Sequence, residues 1–118
     1  MVLIIKTPLE LAQALTRLEE FLSLVNAPEE SIFNSKLVTS ELVGNVLRHS
    51  GGCARFHSEL KNGFVQLTIY DSDCFVPPKQ SHCSEIFAES GRGLFLVDSV
   101  CFQRTETDDG GIQVLIKL

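Results

Sequence analysis

The sequence predicts an α+β domain: a two-layer sandwich with helices on one face of a mixed, mostly antiparallel sheet. Three observations lead there. Apolar residues recur at helical spacing in two stretches between residues 8 and 49. Two alternating runs, 54 to 60 and 64 to 70, flank Lys61-Asn62-Gly63, and an Asn-Gly pair between such runs is a strong hairpin signal. The tail repeats that arrangement, with apolar runs on both sides of Asp108-Asp109-Gly110-Gly111.

Each element follows from its residues in turn. Residues 2 to 5, all β-branched or leucine, form a short strand that ends before Pro8. Thr7-Pro8-Leu9-Glu10 reads as a helix start, with Thr7 as N-cap, Pro8 at the first helical position and Glu10 closing a capping box. Leu11, Leu15, Leu18, Leu22 and Val25 continue that helix until Asn26-Ala27-Pro28 stops it. From about Pro28 to His49, residues Ile32, Leu37, Val38, Leu42, Val46 and Leu47 keep helical period and make the long central helix, which Ser50-Gly51-Gly52 ends. Residues 71 to 91 hold Pro77-Pro78 and several serines without a long apolar period, a loop of the length that usually serves function. Leu94, Phe95, Val97 and Val100 then give a last helix before the closing hairpin.

The 118 residues suffice for one domain, and no linker, charge block or repeat divides them. With 10 Lys and Arg against 15 Asp and Glu, the net charge of −5 argues against a domain that grips a nucleic-acid backbone by bulk charge. The apolar opening is too short for a signal peptide or a membrane span, so the expected compartment is the cytoplasm. Cys53, Cys74, Cys83 and Cys101 show no C-x-x-C spacing, and in a reducing compartment they are expected to stay free thiols.

Three polar residues interrupt the apolar pattern of the central helix: Glu41, Asn45 and His49, four apart and therefore on one face. Asp71 follows the strand 64 to 70, where a side chain projects past the sheet end. Ser90-Gly91-Arg92-Gly93-Leu94 places two glycines at a helix start, where backbone N–H groups can approach a phosphate. Each feature has a plain structural explanation: a solvated face, a turn former, a tight turn. Their order and spacing distinguish them.

Together they resemble the Bergerat fold, the ATPase domain shared by histidine kinases, gyrase and mismatch-repair ATPases, and within it the small bacterial branch of anti-sigma factors that are serine/threonine kinases. Glu41-Leu-Val-Gly-Asn45-Val-Leu-Arg-His49 is similar to the family's E-x-x-x-N-x-x-x-H box, Asp71 falls where the first glycine box begins, and Gly91-Arg92-Gly93-Leu94-Phe95-Leu96-Val97 resembles the second. The resemblance implies ATP and Mg²⁺ as cofactors. Asn45 would coordinate Mg²⁺ through ATP, and Glu41 would orient or deprotonate the attacking hydroxyl. Asp71 would accept from the adenine amino group, and Gly91, Arg92 and Gly93 would line the phosphates, with His49 and Leu94 completing the two nucleotide-binding boxes. The loop from 73 to 90 would be a lid. Implied partners are a sigma factor and an anti-anti-sigma antagonist, with a homodimer as the assembly and no direct contact with nucleic acid or membrane.

The chain also departs from the family pattern. The first glycine box, D-x-G-x-G, is here Asp71-Ser72-Asp73-Cys74-Phe75, and the last hairpin has Ile112 and Gln113 where relatives place a Thr or Ser. The segment that the resemblance makes a lid is short and carries Glu85 and Glu89. Two functions from different classes follow: a Mg·ATP-dependent protein kinase acting on the antagonist, or the same fold binding proteins with nucleotide affinity weak or lost. Arg48 and Arg104 are read as solvated charges or as part of a partner surface.

Overall fold

The computed structural model describes residues 1–49, 53–71 and 91–118, with His49, Gly91, Arg92 and Gly93 described by their backbone alone. The order is β1 (Val2–Ile5), α1 (Pro8–Leu24), α2 (Glu29–His49), β2 (Ala54–Lys61), β3 (Phe64–Asp71), α3 (Gly91–Val100), β4 (Gln103–Glu106) and β5 (Gly111–Lys117). The strands form one five-stranded sheet in the order β1-β2-β3-β5-β4. The α+β class is as expected, and every described pairing is antiparallel, without the parallel component of a mixed sheet.

Alternation along the strands sorts the side chains into two faces. Ile5, Ala54, Phe56, Val65, Leu67, Ile69, Ile112, Val114 and Ile116 point to one side and are buried. Against them pack Ala14, Leu18 and Leu22 of α1, Val38, Leu42, Val43 and Val46 of α2, and Val97 of α3. The helices therefore share one face of the sheet. The opposite face carries Arg55, His57, Thr68, Tyr70 and Gln113, and here the Arg55 guanidinium lies 4.4 Å from the centroid of Tyr70. The edge of His57 meets the same ring at 5.7 Å.

Local signals act as the residues suggest. Glu10 N donates to Thr7 Oγ1 at 3.1 Å, the N-cap bond. The return bond of the capping box differs from the expectation: Glu10 Oε1 accepts from the N–H of Lys6, at 2.7 Å, one residue before the cap. Asn62 and Gly63 have φ of 54° and 84°. Both central residues are thus left-handed, the conformation that matches the twist of the strands they join. No described helix is long and apolar enough to cross a membrane.

One expectation is overturned. Cys53, buried where the chain enters β2, is disulfide-bonded, while Cys101 is free. Cys74 and Cys83 lie outside the described residues. A disulfide is set by how closely the fold brings two thiols, which spacing along the chain does not disclose.

Candidate functional site

Topology gathers the candidate residues at one corner. Ser31, at the start of α2, donates to the carbonyl of Lys117 at the end of β5, at 2.8 Å. The helix begins over the C-terminal end of β5 and so runs toward the end where β5 starts and β3 finishes, which is where Asp71 sits opposite Ala54. The direction of α3 follows from its far end: Val100, Cys101 and Phe102 share a cavity of about 390 Å³ with Pro28, Glu30, Ser31 and Asn34. α3 packs on α2 and runs against it. At about 1.5 Å per residue, its first turn lies some 15 Å back, beside the C-terminal half of α2. Glu41, Asn45, Asp71 and the turn beginning at Gly91 thus face one corner between α2, β3 and α3. Leu94 is half-buried against the core. The side chains of His49 and Arg92 and the stretch 72–90, with the first glycine box and the lid, lie outside the described residues.

The stripe on α2 is not an ordinary solvated face. Glu41 is half-buried and Asn45 is 0% exposed. Asn45 Oδ1 accepts a hydrogen bond from Arg48 Nη2. Its Nδ2 is buried with no acceptor among the described residues. The amide orientation is fixed by chemistry, because turning it over would set the NH₂ against a guanidinium that has only donors. Gly44 makes room for this bond: a Cβ at that position would stand 3.2 Å from Arg48 Nη1. A mid-helix glycine costs about 1 kcal/mol relative to alanine, so the space has an energetic cost.

Whether the implied cofactors suit these groups is decided by donor type. Mg²⁺ takes oxygen ligands. Here the one amide oxygen on the stripe is already held by a cationic side chain, and the unpartnered atom of Asn45 is an N–H. As arranged, Asn45 does not suit a metal. A nucleotide phosphate, which brings acceptor oxygens, does suit a buried N–H and a guanidinium. Asp71 is half-buried at the end of β3.

The last hairpin contains a hydroxyl that the comparison of Ile112 and Gln113 with the family pattern overlooks. Thr107 Oγ1 accepts from Gly111 N at 2.7 Å and donates to Asp109 Oδ1. It closes the β4–β5 turn. That hydrogen bond is the main reason the Asp109 carboxyl is held below its ordinary range. The signal available beforehand was the Thr-x-x-Gly-Gly spacing, in which a hydroxyl reaches a backbone N–H four residues on.

Arg48 was read as a solvated or partner-facing charge and turns out to engage Asn45. Arg104 is paired with Asp98 through two bonds, of 2.6 and 3.1 Å. No protein-family model matches the chain, and no curated protein matches it either.

Proposed function

We propose that this chain is a regulator of the Bergerat type, akin to the small bacterial anti-sigma factors, which binds an adenine nucleotide at the corner between α2, β3 and α3 and acts by holding protein partners. The partners are a sigma factor and its antagonist, the assembly is a homodimer, and the compartment is the cytoplasm. What carries the reading is the convergence of Glu41, Asn45, Asp71 and the glycine turn at the start of α3 on one corner, although they are up to some fifty residues apart in the chain. Asp71 would accept from the adenine amino group. Asn45 Nδ2 and the N–H groups at the start of α3 would meet the phosphates. Calorimetry with ATP and with GTP tests it: ATP should bind, GTP should bind at least about tenfold more weakly because guanine has a carbonyl oxygen where adenine has its 6-amino group and would set that oxygen against the Asp71 carboxylate, and Asp71→Asn should remove the preference. Equal binding of both, or none, rejects the reading.

A second reading, serine/threonine kinase activity toward the antagonist, is favoured by Glu41, which stands one turn from Asn45 as a carboxylate on the same face. Phosphoryl transfer is chiefly a matter of positioning and charge neutralisation, and an acid there is placed to orient a hydroxyl. Incubation of the chain with ATP, Mg²⁺ and a cognate antagonist should label the antagonist, and Glu41→Gln should abolish the label. Labelling that Glu41→Gln leaves unchanged excludes the role.

A further inference from the structure

We propose that the phosphate subsite of this chain is a metal-free anion receptor, in which Arg48 supplies the positive charge that a divalent cation would otherwise bring. The inference rests on the nucleotide reading above and deepens it.

Three observations carry it. Arg48 folds back along α2 and donates from Nη2 to Asn45 Oδ1, so the oxygen a metal would need is engaged. Gly44 leaves the space for that fold-back, which a side chain would constrict, since its Cβ would come within 3.2 Å of Nη1. Asn45 Nδ2, on a residue with no exposed surface, has no acceptor among the described residues. A buried donor without a partner is costly and calls for a missing acceptor. Among the described residues the groups left over are therefore all N–H: the second amide donor of Asn45 and the remaining guanidinium donors of Arg48. Such a set repels a cation and binds oxyanions, most strongly phosphates, with charge-assisted bonds. Glu41, one turn before Asn45, is the acidic neighbour on this stripe, and its charge opposes an anion, which leaves Arg48 the more necessary.

The test is calorimetry on the full chain with ATP and, separately, with inorganic pyrophosphate, each in excess EDTA and again in excess Mg²⁺. ATP and pyrophosphate should bind in EDTA with affinity within about threefold of that in Mg²⁺. Arg48→Ala, a change at an exposed residue, should weaken binding in EDTA by at least about tenfold, and Arg48→Lys should restore part of it. Gly44→Ala, which keeps the charge but crowds the guanidinium, should fall between the two. The Asn45 side-chain amide resonances, followed by NMR, should shift on adding pyrophosphate without metal. If ATP binds only when Mg²⁺ is present, or if Arg48→Ala binds in EDTA as the parent does, the receptor is rejected while the nucleotide reading stands. Absence of binding by ATP and pyrophosphate in both conditions rejects both.

Discussion

The Ser31 hydroxyl and the Lys117 carbonyl, 86 positions apart, form a 2.8 Å hydrogen bond that fixes the start of α2 over the end of β5. This bond sets the direction of the central helix across the sheet and so decides which end of the sheet Asn45 reaches. Ser31→Ala leaves the carbonyl without its protein donor and is expected to cost about 1 kcal/mol. Urea unfolding should show a lower midpoint with an unchanged slope, and an unchanged midpoint would mean that water replaces the hydroxyl at no cost.

Gly63 and Gly111 should respond to alanine for different reasons. At Gly63 nothing lies within 4 Å of an added Cβ, but φ is +84°. The expected cost is about 1 kcal/mol, purely conformational. At Gly111 an added Cβ would lie 2.7 Å from the Tyr70 ring and 3.0 Å from Thr107 Oγ1. Overpacking of that kind costs about 1–3 kcal/mol. Tyr70→Ala should therefore rescue part of the loss in Gly111→Ala and none of it in Gly63→Ala, a difference that a double-mutant cycle on thermal or urea stability reads directly.

His57 gives the outer sheet face a pH response. Burial, then the Arg55 charge and the N-terminal amine, lower its pKa from the ordinary 6.5, against weaker raising effects of Glu59 and Asp109. The unfolded chain therefore binds the proton more readily than the folded one. The stability from the neutral imidazole is complete above 6.5 and is lost as pH falls from there through the lower folded value. His57→Gln should flatten the midpoint-versus-pH curve in that window; a variant with the parent's slope would assign the response elsewhere.

Asp98 and Arg104 respond in the same direction for a different reason, since here the fold favours the charged form. The hydrogen bond from Arg104 holds the Asp98 carboxyl below its ordinary 3.8. Its contribution is present above 3.8 and disappears as pH falls through the folded value. Half of the Asp98 side chain is exposed, so screening limits the pair. Asp98→Asn should cost less than about 1 kcal/mol at neutral pH, and the difference should shrink in high salt.

The elements that local chemistry determines were legible from the residues. The Asn62-Gly63 hairpin followed from two positions that need positive φ, and the helices followed from their apolar period. The candidate corner was legible only as a list of positions. Its assembly depends on β5 lying between β3 and β4 and on α3 running against α2, and neither follows from any local run. Arg48 is the clearest case of information absent from the pattern. A basic residue three places after an asparagine on a helix is ordinarily solvated, and only the burial of Asn45 and the clearance at Gly44 turn the spacing into a contact. Cys53 was misjudged for a related reason, since a disulfide reports approach in space. The Thr107 hydroxyl comes before the turn, while the family pattern bears on the residues after it, so that pattern does not reach Thr107.

The place of β5 in the sheet also governs when this chain can become stable during its synthesis. It follows the other described strands in chain order, yet both β3 and β4 pair with it along their length. A nascent chain that has emerged through Glu106 holds β1, β2 and β3 but exposes the free edge of β3, and β4 has nothing to pair with. The ribosome must deliver residues 111–117 before Val65, Leu67 and Ile69 gain their neighbours Ile116, Val114 and Ile112. Folding of this sheet is thus expected to wait for β5, and stalling shortly before it would leave an unpaired β3 edge open to association with other chains.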